Sequence, residues 1–449
     1  MIKHAAGLVV VALAIVSAPL VLASTTAFVN VQVVPMDDER VTSGQTVVVS
    51  DGRIVAVGSV DAVPIPEHAT VVDGTDRFLM PGLAEMHAHV PDAESPDIER
   101  YFNLYVANGV TTIRGMLGQP SHLGLRDALE TGEVFGPRLY TSGPSLNGRS
   151  VDGPARARAM VEEQHASGYD FIKLHPGLNS AEFDAIAATS RELGIPFAGH
   201  VPVAAGVDHA LQSGMATIDH LDGYFVAALP PKSTGLGGYG GFFDVMLVKL
   251  VDANRIAELA AATAASTTWN VPTQVLVELR INEVTAETLS NRPEMRYMPA
   301  ATVARWAERK AATLAERGFD PESAARAITE RRRLIFELHR AGAGLLLGSD
   351  SPQVFSVPGF SIHRELEVLV AAGLSPYEAL RAGTASVAEF LGSRGGMVAV
   401  GRDADLVLLD ADPLADIRNA SRIHGVMLRG LWLPASELEA RIAPYRRED

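Results

Sequence analysis

The chain has 449 residues, and 38 Lys and Arg against 53 Asp and Glu give a net charge of −15. With 47% hydrophobic and 20% charged residues it has the apolar material for a large core, and its acidic balance argues against a nucleic-acid partner, which needs a basic face. There is no Cys, which excludes disulfides, thiol nucleophiles and Cys-ligated zinc, so any metal must be held by His, Asp, Glu or a modified Lys.

In chain order, Lys3 precedes an apolar run from Ala5, and Val21-Leu22-Ala23 fits a small-residue cleavage site. Residues 1–23 therefore read as a secretory signal peptide, implying a periplasmic or secreted protein with no other membrane association; the run is also just long enough for an uncleaved anchor. From Ala27, AFVNVQVV, TVVVSDGRIVAVG and TVVDGTDRFLMPG alternate around Asp-Gly turns, as antiparallel strands do. The same texture returns from Gly396 to Asp412 and from Arg422 to Leu433. Neither piece is long enough alone, so 24–80 and 396–435 are expected to form one small β-sandwich, with 436–449 as a C-terminal tail.

Between them, 81–395 alternates strands with Ala-rich amphipathic helices. Strands are expected in GLAEMHAHV, GVTTIRGM, PRLYTSGP, DFIKLHPG, IPFAGHV, ATIDHLDG, TWNVPTQ and GLLLGSD. Eight such units predict an α/β fold of the (β/α)8 TIM-barrel type, with the active site at the C-terminal strand ends. The Gly-rich stretch Pro230 to Asp244, PPKSTGLGGYGGFFD, breaks this rhythm and reads as a lid over the mouth or as a surface excursion.

The polar residues fall where such a barrel needs them: His87 and His89 after its first strand, Lys173 after the fourth, His200 after the fifth, His220 after the sixth and Asp350 after the eighth. Residues two apart on a strand share a side, so His87 and His89 can chelate one ion. Lys173 lies among apolar neighbours, where burial lowers an amine's pKa and a neutral amine can add carbon dioxide to give a carbamate; a snorkelling or salt-bridged Lys fits the local sequence as well. His200 and His220 taken singly also fit structural roles, and Asp350 also fits a helix cap. Six suitable groups at five strand ends outweigh any one of them.

HxH, Lys, His, His and Asp in this order resemble the amidohydrolase superfamily. The resemblance runs through FLMPGLAEMHAHV, DFIKLHPGLNSAEFDAI, GHVP, DHLDGY, SDSPQVFSVPGFSIHRELEVLVAAGLSPYEALRAGT and GRDADLVLLDADPLADI, with the imidazolonepropionase-like branch and its Xaa-Pro and related metallo-dipeptidases nearest. It implies two divalent ions, commonly zinc: His87, His89 and Asp350 on one, His200 and His220 on the other, and carboxylated Lys173 bridging them. It further implies hydrolysis of a small amide or peptide substrate, with Asp350 as proton shuttle, in a chain that can form homo-oligomers.

Weaker candidates are His175, two residues after Lys173, for contact with substrate or a metal-bound carboxylate; Asp222 and Tyr224 beyond His220, to orient that histidine or bond a substrate carboxylate; Arg114 at the end of the second strand, to pair with a substrate carboxylate or a structural acid; and His363 near a helix start. Two alternatives stay open. One is a mononuclear cyclic-amide hydrolase or deaminase; the other is a binding protein without turnover.

Overall fold

The computed structural model describes residues 25–448 apart from 317, so the expected signal segment at 1–23 lies outside the described residues. The chain begins with five strands, β1 (Thr25–Val33), β2 (Thr42–Ser50), β3 (Arg53–Ser59), β4 (Thr70–Asp73) and β5 (Phe78–Pro81). Seven short parallel strands follow: β6 (Leu83–Ala88), β7 (Val110–Gly115), β8 (Arg138–Thr141), β9 (Ile172–Leu174), β10 (Phe197–Gly199), β11 (Thr217–Asp219) and β12 (Trp269–Val271). The chain ends with β13 (Leu406–Leu409), β14 (Ile423–Leu428) and β15 (Leu431–Pro434).

Both chain ends share one eight-stranded sheet, β15-β14-β13-β5-β1-β2-β3 with β4 on β1. The junction is made by β5, parallel to β1 and antiparallel to β13 with Leu406 opposite Pro81 and Leu408 opposite Leu79. Phe28 on β1 meets Trp432 on β15 edge-to-face at 5.1 Å, although three strands lie between them along the sheet. Strands are about 4.8 Å apart, so a flat sheet would hold these rings well out of reach. The sheet therefore curls around a shared core of Phe28, Val47, Leu79, Leu406 and Met427. The segment expected as a tail includes the helix Ala435–Ile442, whose Ile442 packs with Tyr101 and Leu104 of the helix Ile98–Ala107.

The parallel strands form β6-β7-β8 and β12-β11-β10-β9. Single parallel bridges span the gaps, Ser142 to Phe171 between β8 and β9, and Asn270 to Leu345 beyond β12. Of the eight expected strands, GLLLGSD alone forms no ladder. It bonds on both sides instead, Leu346 N to Asn270 O and Met86 N to Leu347 O, with a further bridge from Ala88 to Ser351. Helices cover the outer faces, as parallel strands buried on both sides require, and supply Phe183, Ile186, Leu334, Leu338, Leu366 and Leu369 to the large core. Among the described residues no helix is long and apolar enough to cross a membrane.

Candidate metal centre

The polar residues at the ends of β6, β9, β10 and β11 converge with Asp350. His87, His220 and Asp350 are buried, and each offers one ligand atom within 4.8 Å of the others. Asp350 Oδ1 lies 3.8 Å from His87 Nε2 and 3.0 Å from His89 Nε2, and its Oδ2 lies 3.6 Å from His220 Nδ1. The His220 ring sits 4.4 Å from that of His87 and 4.7 Å from that of His200. The compact trio thus takes one histidine from each of the two expected ligand sets.

Neighbouring groups fix how these rings are presented. Thr273 Oγ1 pairs with His220 Nδ1 at 2.8 Å, and Asp222 Oδ2 accepts from His200 Nδ1 at 3.0 Å, which leaves the His200 Nε2 free. Asp222 therefore orients His200 rather than the adjacent His220. The Asp219 carboxylate lies 2.9 Å from His87 Nδ1, 3.8 Å from Lys173 Nζ and 3.3 Å from Arg114. Glu85 joins β6 to the eighth segment: Oε1 accepts from His87 N at 3.0 Å and Ser349 N at 2.8 Å, and Oε2 from the Ser349 hydroxyl. Burial pushes this carboxyl up to about 7.

The donor set fits metal ions. Burial holds the His87 and His220 imidazoles well below their ordinary range, so their lone pairs are free of protons. Lys173 is fully buried, its amine has no hydrogen-bond partner, and burial lowers it to about 8. His87 Nδ1 and Asp350 Oδ1 likewise lack an aligned partner despite close neighbours. Such buried groups, near one another but unpaired, are costly unless something else satisfies them.

Local backbone conformation aids the convergence. His220, Leu221, Thr273 and Asp350 all have φ between 43° and 63°, a region non-glycine residues seldom occupy. Buried Arg331 braces this turn, donating to His220 O and Gln274 Oε1, each at 2.7 Å. Gly199 has φ +118°, and a Cβ there would lie 2.6 Å from Leu174 O and 2.8 Å from the Lys173 stem, so the lysine passes only because that side chain is absent.

His175 stands beside the cluster, its ring 5.0 Å from that of His200. Three expected substrate contacts are buried and already have partners within the protein. Arg114 is 1% exposed and ion-paired with Asp219. Tyr224 bonds Thr263 and Asn270 at 2.9 and 3.0 Å, and His363 Nε2 bonds Asn108 O at 3.0 Å. Asp219, Glu85, Thr273 and Arg331 went unnoticed in the sequence. Only Asp219 carried a signal there, as an acid beside His220 in a short apolar strand. The Gly-rich stretch places Phe243 over the cluster, 5.0 Å from the His220 ring and 6.0 Å from that of His200.

No curated protein sequence matches the chain. Among solved structures, a bottromycin amidohydrolase is 24% identical with a TM-score of 0.72, covering 94% of this chain and 90% of that one. A prolidase complexed with N-methylphosphonate-L-proline is 22% identical at 0.65, covering 92% and 100%. A Xaa-Pro dipeptidase with bound methionine in the active site is 18% identical at 0.66, again covering 92% and 100%. At these identities the likeness is one of fold. The sequence model of the amidohydrolase family matches residues 78–433, most of the chain and every strand end that feeds the cluster, and this chain belongs to that family.

Proposed function

We propose that this metal-dependent hydrolase of C–N bonds cleaves the amide bond of dipeptides or N-acyl amino acids, in the imidazolonepropionase-like branch of the family. The observation that carries the reading is the buried convergence of His87, His220 and Asp350, with His89, His200 and the unpaired Lys173 around it. His87, His89 and Asp350 would hold one divalent ion, most simply zinc, and His200 and His220 a second. The Lys173 amine, adding to carbon dioxide with loss of a proton, would bridge them as a carbamate. Ions in these positions supply a polarised carbonyl and a water acidified toward neutral pH.

The chain's own groups do the remaining work. Asp350 takes a proton from the attacking water and returns it to the departing nitrogen. The Asp222 carboxylate accepts from His200 Nδ1 and so leaves its Nε2 unprotonated, and Thr273 fixes the orientation of the His220 ring through Nδ1. Asp219 balances the buried Arg114 and faces the His87 Nδ1 side. Prolidase and Xaa-Pro dipeptidase relatives of the same fold support the peptide class, as do the bridges and hydrogen bonds of the eighth segment a closed (β/α)8 barrel. The curled end-to-end sheet supports a sandwich of 24–80 with 396–435, beside a barrel of 81–395. Export to the periplasm or beyond rests on residues 1–23.

Metal analysis of the purified chain is expected to give two divalent ions, and intact-mass measurement a carbon dioxide adduct lost on acidification. A screen of metal-loaded protein against dipeptides and N-acyl amino acids tests the substrate class; turnover of cyclic amides alone would refute it. The single-ion alternative, a cyclic-amide hydrolase or deaminase, is favoured by one observation, that His87, His220 and Asp350 alone already enclose one point. One ion per chain without the adduct would select it.

A further inference from the structure

Beside the His200 edge of the cluster lies a cavity of about 820 Å³, within the range of small-molecule sites. Its lining includes Val203, Val226 and Leu229, together with the acidic residues Asp208, Asp222, Asp244 and Asp252. Asp222 belongs to both places, since it lines this cavity and holds His200 Nδ1 at 3.0 Å. Phe243 and Asp244 form the boundary between them. The Phe243 ring lies nearly parallel to that of His200, at 10° and 6.0 Å, and the next residue faces the cavity.

The boundary is held by side chains rather than by a ladder. Phe243 and Asp244 have φ of 49° and 54°, an unfavourable conformation for two successive non-glycine residues. Asp244 Oδ1 offsets this by accepting from Gly238 N at 2.9 Å and Gly240 N at 3.0 Å, and the Arg280 guanidinium packs 4.1 Å from the Phe242 ring. Asp244 N to Gly241 O at 3.1 Å and Met246 N to Gly240 O at 2.9 Å also close the turn, so the Phe243 ring leaves the histidines only when these few local bonds open together and φ relaxes.

We infer that Phe243 is a movable wall between the metal centre and this cavity, and that the cavity takes the side chain flanking the scissile amide, choosing aliphatic or cationic groups over anionic ones. This rests on the peptide-hydrolase reading above. The charge preference follows from the lining: four aspartates contribute to it against one arginine, Arg255, which is already paired with Glu258. An aliphatic group gains from Val203, Val226 and Leu229, whereas a carboxylate would be desolvated among like charges.

Two measurements on the full metal-loaded chain test this. The first is the rate at which 1,10-phenanthroline extracts metal. Phe243→Ala is expected to lose metal at least about tenfold faster than wild type, and Phe243→Tyr at close to the wild-type rate, because a ring excludes chelator and water from the centre. An alanine variant within twofold of wild type overturns the wall. The second is kcat/KM for dipeptides bearing Leu, Lys, Gly or Glu at each position in turn. Wild type is expected to favour Leu and Lys over Glu at one position, and Val226→Phe, which narrows the cavity at its apolar wall, to cut the Leu-to-Gly ratio there by about tenfold or more. A preference for Glu, or an unchanged ratio in Val226→Phe, overturns the cavity assignment. If wild type turns over no dipeptide, the peptide reading fails separately, and extraction still decides the inference: Leu-Leu should slow metal loss in wild type but not in Val226→Phe, and equal protection in both overturns it.

Discussion

The curled sheet and the mouth of the parallel strands lie on one chain and follow opposite rules. In the sheet, β13 is Leu406-Val407-Leu408-Leu409, all buried, and its partners are set by an unbroken antiparallel register with β5 and by one with β14 that shifts once, between Leu408 and Leu409. At the mouth, Glu85, Lys173 and Asp219 are fully buried, Arg114 is 1% exposed, and four residues adopt left-handed backbone. Burial stabilises the first region directly. In the second it raises the free energy of every ionisable group, a cost borne only because those groups converge on shared partners. Removal of a sheet residue should therefore lower stability without touching chemistry, whereas removal of a mouth residue should act on turnover or metal retention, whatever it does to stability.

The largest expected departure is at Asp350. Asp350→Asn keeps the size and one oxygen acceptor but cannot carry a proton, so kcat should fall by roughly 10²- to 10⁴-fold while most metal is retained. Turnover within tenfold of wild type would assign Asp350 to a structural role. Next is the pH dependence of reconstitution. Lys173, lowered to about 8 by burial, adds carbon dioxide only as the free amine. Reactivation of metal-free protein by metal, at a fixed concentration of dissolved carbon dioxide, should quicken about fiftyfold from pH 6 to 8 and then level, since the free-base fraction rises that much below its pKa. A rate flat across that window would remove the carbamate.

Asp219→Asn should weaken metal retention by about 10- to 100-fold, the usual effect of losing a carboxylate beside a metal-binding histidine. It should also lower the melting temperature, because buried Arg114 loses its counter-charge. A melting shift with metal affinity intact would make Asp219 a partner of Arg114 alone. Leu406→Ala, in the sheet, should cost ~2–5 kcal/mol of stability and leave kcat of the folded fraction within about twofold. A larger loss of kcat would mean that the sheet and the mouth are coupled, and the contrast between them would fail.

What the amino-acid sequence determined by itself is local or periodic. Alternation around Asp51-Gly52 specifies the hairpin of β2 and β3, the recurring strand-helix rhythm specifies the parallel strands, and His-x-His puts two imidazoles on one strand end because side-chain direction repeats every two residues. The family resemblance was legible for the same reason, since its motifs sit at strand ends spaced by that rhythm. Tertiary structure alone decided what depends on neighbours from distant segments. Thr273 reaches His220 and Arg331 reaches its carbonyl across 53 and 111 residues, and Glu85 bonds Ser349 across 264. Arg114, Tyr224 and His363 read as substrate contacts in the sequence because each stands near a strand or helix end. A side chain there turns toward the mouth or into the packing according to which buried acceptor lies in reach, and Asp219, Asn270 and Asn108 come into reach only once the strands and helices have assembled.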